Sequence, residues 1–481
     1  MTMLKKVLTI ALVSFALLGT SCSNKKPTDP VVPEDDDSKI SEGTIVERLE
    51  KTNRIKDIKR IAGTSKFENI YSLKFEQYID HNNHSLGKFT QRVEFGFNGY
   101  DLPNVYVTSG YMIEDENYHY SENENEIAFL LGCNYIFVEH RYFGNSLPVT
   151  INYNDNSSWQ YLTTAQAAAD AHEIVRQFKR ILDGKWVSSG ISKGGMTTEM
   201  FAYYYPGDMD LYVPYVAPFC NSYNDMRMLK FVYEEAGNQQ YGATNAAKYR
   251  NEVLQFQLKL LEYRDVLAPR YYQDSIATGK TFTSYATQDV MFDGAVLEFA
   301  IGMWQYYQSF SSMESVFAMS EGDNKVNACY NYFTSICAPG DLAINTNFHP
   351  YYVQAYQELG NYGWDFSYIR NAGGNLAITE EQATEDISWK VLLSDEQREM
   401  GHKELMNEKI NNMLKTTDLQ FIILYGSSDP WYSVRPEDVT DRENISIFVN
   451  TSYPHTTCIS NFSTLKKKDI TSKIKKILNV Q

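Results

Sequence analysis

The chain has 481 residues, 43% hydrophobic, 22% charged and 14% aromatic, which is ample for a large buried core and excludes global disorder. With 60 acidic against 44 basic side chains its formal charge is -16, the wrong sign for a broad nucleic-acid surface, so no nucleic-acid partner is expected. No apolar run reaches the roughly 18 residues of a membrane-spanning helix, and the body is expected to be soluble.

Lys5 and Lys6 precede an apolar stretch from Val7 to Leu18, then Gly19, Thr20, Ser21 and Cys22. That order reads as an export signal over residues 1–21. A cysteine directly behind it resembles the lipobox of bacterial lipoproteins, with Gly19 where that pattern usually has leucine. Cleavage would remove two lysines and no acid, taking the charge to -18. Membrane contact is therefore expected only through lipid at Cys22, whose several acyl chains would anchor firmly. The alternative is a plain secreted protein. Residues 22–44, with Pro27, Pro30, Pro33 and the acidic run Glu34 to Asp37, read as a tether of roughly 3 Å per residue. The expected location is the cell envelope, periplasmic or outward-facing.

Cys133, Cys220, Cys329, Cys337 and Cys458 form an odd set that cannot all pair. Cys329 with Cys337 is the first disulfide candidate in an exported protein, and buried free thiols are the alternative. No cysteine or histidine spacing suggests zinc.

Residues 71–79 and 89–97 alternate apolar and polar side chains, predicting an antiparallel hairpin. Compact apolar runs follow at 105–108, 135–138, 186–188 and 212–216, suited to a buried parallel sheet. The alanine-rich stretch 161–182 predicts a helix ending at Asp183-Gly184, and another helix runs from Ser192 to Tyr205 before Pro206-Gly207. Residues 221–416 are helical in texture, for instance 251–265 and 290–310, and dense in Tyr, Phe and Met. Runs at 419–425 and 445–449 then resume the sheet before a lysine-rich final helix. The class is α/β: a core of residues 45–220 and 417–481 interrupted by a helical lid, residues 221–416, over the carboxyl edge of the strands.

Behind the run at Trp186 stands Gly190-Ile191-Ser192-Lys193-Gly194, a G-x-S-x-G pattern between strand and helix. A serine so placed is a nucleophile when a histidine takes its proton and a carboxylate orients that histidine. Asp429 follows the run ending at Tyr425, and His455 follows the next. Serine, acid, histidine is the α/β-hydrolase order. The bland readings are a helix cap for Ser192 and a turn cap before proline for Asp429. The backbone N–H of Lys193 is one expected oxyanion donor, and that of Gly110 or Tyr111 the second. The Lys193 side chain is expected to pair with an acid, or else to meet a substrate carboxylate. Asp170 and His172 diverge on one helix and are read as structural. Trp304 and Trp364 are read as core, with a proline-accepting wall as the alternative.

The segments Glu139-His140-Arg141-Tyr142-Phe143-Gly144, Gln166-Ala167-Ala168, GISKGGMT, YYP followed by Asp208-Met209-Asp210, Tyr215-Val216-Ala217-Pro218 and LYGSSDPW together resemble the bacterial secreted tripeptidyl-aminopeptidase family of serine peptidases. Through EHRYFGNSLP there is a more distant likeness to prolyl carboxypeptidase and the lysosomal dipeptidyl peptidases. Thr456 and Thr457 follow His455 where those families commonly have glycine. The resemblance implies an α/β-hydrolase with a helical lid that cleaves peptides near a terminus, often after proline, without metal or organic cofactor. Its nucleophile, acid and base would be Ser192, Asp429 and His455. Release of tri- or tetrapeptides from the amino end is the reading it favours. An exopeptidase of that kind must hold the substrate ammonium with a carboxylate, and the lid's many acids leave that residue unnamed. A peptidase like prolyl carboxypeptidase or dipeptidyl peptidase, an esterase or lipase, and a non-catalytic peptide-binding lipoprotein are the alternatives.

Overall fold

The computed structural model describes residues 37–480 apart from 62, 114–125, 154 and 308–309. The export signal, Cys22 and the tether as far as residue 36 lie outside the described residues. Lys39 onward forms one compact unit, entered where the Ile40 N–H donates to the Arg180 carbonyl at 2.8 Å.

Nine strands build one sheet: β1 (Ile55–Ile61), β2 (Asn69–Tyr78), β3 (Lys88–Phe97), β4 (Asn104–Thr108), β5 (Asn134–Val138), β6 (Trp186–Ile191), β7 (Leu211–Tyr215), β8 (Phe421–Gly426) and β9 (Ile445–Asn450). Their spatial order is β1-β2-β3-β5-β4-β6-β7-β8-β9. The first three, and β3 against β5, pair antiparallel; every pairing from β5 to β9 is parallel. Strands β4, β5 and β7 are buried at every position, as continuous apolar runs require when helices cover both faces. The hairpin is in the expected register, Tyr71 opposite Phe95. Strand β1 carries no such pattern. It is a lysine-rich edge whose pairing shifts between Lys56 and Lys59, and its polar positions face solvent.

Two helices pack on the sheet beside the site: α1 (Thr164–Lys179) and α2 (Lys193–Tyr204). The first starts three residues later than the alanine content suggested. Thr163 caps it by accepting the Gln166 N–H, which satisfies a donor that a longer helix would have used internally. Between β7 and β8 the regular elements described are helices joined by turns and irregular stretches, with one two-strand pairing of Asn224–Asp225 with Asn361–Tyr362. The stretch expected as one helix over 290–310 is divided. An α-helix spans Gln288–Gly302, a π-helical turn follows at Met303–Tyr307, and a new helix begins at Phe310. The stretch 251–265 likewise spans two helices, Ala243–Glu262 and Arg264–Ala277.

All five described cysteines are free and buried, so the Cys329–Cys337 disulfide is absent and the free-thiol alternative holds. Cys329 is fixed within the helix Asp323–Thr334, whereas Cys337 lies past its end.

Candidate active site

The carboxyl ends of β6, β8 and β9 emerge along the same rim because all three run parallel. Ser192 follows β6 at φ 58°, ψ -120°, a left-handed conformation that costs a non-glycine residue of order 1–3 kcal/mol. Its own N–H donates to the Tyr215 carbonyl at 2.9 Å, tying the turn to β7. Gly190 makes the turn possible: a Cβ there would lie 2.4 Å from the Gly194 carbonyl. The Ser192 side chain does not cap α2, so the bland reading of this serine fails. Its hydroxyl lies near the phenol of Tyr111.

Asp429 and His455 are brought together. Both are buried, and the aspartate Oδ2 stands 2.7 Å from Nδ1 of the imidazole. The other carboxylate oxygen accepts the Trp431 N–H at 3.0 Å. The turn-capping and histidine-orienting roles thus belong to the same side chain, one to each oxygen. Nε2 of His455 is buried without a hydrogen-bond partner. The ring of Tyr306, on the π-helical turn, stands edge-on to the imidazole with centroids 5.5 Å apart. The His455 N–H donates to the Gln305 carbonyl of the same turn at 3.2 Å. The structure therefore unites acid and histidine, while among the described residues no hydrogen bond joins His455 Nε2 to the serine hydroxyl.

Of the expected oxyanion groups, Lys193 opens α2, where helix amides face outward. Gly110 packs directly on the elbow, its Cβ direction ending 2.4 Å from the Gly194 nitrogen. The Tyr111 N–H donates to Ser109 Oγ at 3.2 Å, and its phenol lies near Ser192. Burial raises that phenol's pKa and keeps it a neutral donor. The acid partner expected for Lys193 is not found among the described residues. Its buried Nζ donates to the Gly110 carbonyl at 2.8 Å and lies 5.2 Å from the Phe143 ring centre. Burial drives its pKa well down.

Two supports were not visible in the sequence. Glu126 accepts the Ile459 N–H at 2.7 Å, the Ser460 N–H at 2.6 Å and the Tyr215 hydroxyl at 3.1 Å, pinning the chain just beyond His455. Arg141 is fully buried and forks onto Asp170, with both contacts at 2.7 Å. Burial pushes the Asp170 carboxyl up, but the Arg141 charge and its hydrogen bonds outweigh that and hold it below its ordinary value. His172 pairs separately with Asp208 at 2.7 Å, so these two helix residues diverge as expected. Beside His455 a cavity of about 670 Å³ is lined in part by Gln305, Tyr306, Phe348 and Trp364. Trp364 thus forms cavity wall, while Trp304 is core, packed on Phe310 at 5.2 Å between centroids.

The sequence profile of the PS-10 peptidase S37 family matches residues 52–476. The chain is 29% identical over 288 residues to the prolyl tri/tetrapeptidyl aminopeptidase of Streptomyces mobaraensis, a match covering 60% of this chain and 56% of that protein. It is 31% identical over 153 residues to the lysosomal Pro-X carboxypeptidase of Homo sapiens, covering 26% of this chain and 30% of the relative. The matches thus span about half, or less, of these relatives' length. A solved proline iminopeptidase from Mycobacterium smegmatis aligns with 84% of this chain and 97% of its own at 10% identity and a TM-score of 0.33. The fold assignment rests on strand order and the elbow rather than on that likeness.

Proposed function

The chain belongs to the PS-10 peptidase S37 family, and on that premise we propose that it is a serine exopeptidase releasing short peptides, of three or four residues, from the amino end of its substrates. The observation that carries this reading is the 2.7 Å contact between Asp429 and His455 on the rim that also bears the strained Ser192.

In this mechanism the Ser192 hydroxyl turns to Nε2 of His455, which takes its proton as Oγ bonds to the substrate carbonyl carbon. Asp429 holds the ring by Nδ1 and stabilises the imidazolium. The oxyanion is received by the Lys193 and Gly110 amides and by the Tyr111 phenol that already stands at the hydroxyl. Collapse breaks the peptide bond, and the proton on Nε2 passes to the leaving amine. Water, deprotonated by the same nitrogen, then releases the acyl group and restores the serine. The buried Lys193 braces the Gly110 loop against the elbow through its bond to that carbonyl. Preference for proline is supported by the name of the Streptomyces relative and by the aromatic cavity wall.

The test is labelling by a fluorophosphonate together with turnover of fluorogenic peptides carrying free or acetylated amino ends. The wild-type protein is labelled and cleaves the free-amine peptides, and Ser192→Ala loses both. Full labelling of Ser192→Ala refutes the assignment. Export and lipid attachment at Cys22, in line with the sequence of residues 1–22, form part of the same proposal. Incorporation of labelled palmitate that persists in Cys22→Ser refutes the attachment site.

A further inference from the structure

The cavity beside His455, at about 670 Å³, is of ordinary size for a bound ligand. It adjoins the reacting groups through Gln305 and Tyr306, which contact His455, and through Phe348, whose ring lies 5.4 Å from that of Tyr111. Glu298, on the helix Gln288–Gly302, lines the same cavity. Its carboxylate is held by two neutral donors, the Tyr362 hydroxyl at 2.6 Å on one oxygen and Trp364 Nε1 at 2.7 Å on the other. A carboxylate has about four lone-pair positions, so each oxygen keeps acceptor capacity.

The groups acting on Glu298 are Tyr362, Trp364 and Asp341, and none is a cation. Lys280, also in the cavity wall, bonds to the Gly340 carbonyl at 3.3 Å and acts on Asp341. Burial pushes the Glu298 carboxyl up to about 7, with Asp341 adding to the rise and the two hydrogen bonds opposing it. A second wall group points to a ligand independently. Ser388 is 2% exposed and lines the cavity, and its hydroxyl has no hydrogen-bond partner. A half-buried carboxylate without a counter-ion, and a buried hydroxyl without a partner, among the described residues, are both costly to leave open. A ligand with a positive charge and several N–H donors would complete them.

We propose that Glu298 receives the α-ammonium group of the peptide substrate, the cavity holding the residues between that free end and the bond attacked at Ser192. The proposal rests on the aminopeptidase reading and names the residue that enforces it. Tyr362 and Trp364 orient the carboxylate, and the ammonium brings the charge that the site lacks.

The test compares kcat/KM for a fluorogenic peptide with a free and with an acetylated amino end in wild type, Glu298→Gln and Glu298→Asp. Fluorophosphonate labelling of Ser192 confirms an intact elbow in each. Wild type is expected to favour the free amine, and Glu298→Gln to lose roughly 10- to 100-fold of that preference, chiefly through KM. Glu298→Asp, which keeps the charge but withdraws it, should fall between, and it carries the test if Glu298→Gln is not labelled. A fully labelled variant that keeps the wild-type preference overturns the anchor while leaving the aminopeptidase reading in place. A labelled wild type indifferent to acetylation overturns that reading, and the anchor with it.

Discussion

Gly426 and Pro454 meet at the end of β8 so closely that a Cβ on the glycine would lie 2.1 Å from the proline carbonyl oxygen. The chain after β9 can therefore fold down onto the end of its neighbour, and this approach sets His455 against Asp429. Gly426→Ala must displace the 453–455 segment. Since misplacement of about 1 Å at a catalytic group can cost 10²-fold, kcat should fall about 10- to 100-fold with KM little changed. Steady-state kinetics on a free-amine peptide decides it, and an unaltered kcat would mean the loop yields without moving the imidazole.

The phenol of Tyr111 lies near Ser192 and is kept neutral by burial. If it stabilises the oxyanion, Tyr111→Phe removes one donor and lowers kcat about 10²- to 10³-fold while KM holds. A change confined to KM would make the ring a substrate wall.

Glu126 gathers two backbone N–H groups and a hydroxyl beyond His455. Glu126→Ala strands those donors and should cost about 2 kcal/mol or more, read as a lowered urea midpoint together with reduced kcat. Full activity in a destabilised protein would show that the His455 loop holds without this support.

Glu199 lies fully buried in α2 with neither carboxylate oxygen hydrogen-bonded, and burial raises its pKa well above the ordinary value of 4.5. In the unfolded chain this group ionises near that ordinary value, whereas in the fold it stays protonated to higher pH. The unfolded state thus binds fewer protons above that point, and stability falls as pH rises. Glu199→Gln abolishes this term. The variant should match wild type near pH 4 and exceed it at pH 7. Urea titrations at the two pH values provide the comparison, and an equal difference at both would place the origin in packing.

Continuous burial along β4 to β8 left a direct mark in the chain, because a strand covered on both faces has few polar positions. Spacing within the elbow was equally legible, since the strained turn at Ser192 tolerates little bulk at Gly190. For the same reason Asp429 and His455 could be named from their places after successive strands. Edge strand β1 was not, because an edge is shielded by lysines and carries no apolar alternation. Nor was the division of the helix near Gly302, since apolar periodicity continues across a π-helical turn.

Local order along the chain thus determined the α/β class and marked Ser192, Asp429 and His455 as the candidate triad, for these depend on neighbours a few residues away. Only the tertiary structure decided that Lys193 meets a carbonyl instead of an acid, that the Tyr111 phenol lies near Ser192, and that Glu298 stands in a cavity without a counter-ion among the described residues. Each of those outcomes turns on which groups distant segments bring within hydrogen-bond distance, and on how far burial has stripped them of water. Spacing in a sequence carries no record of either.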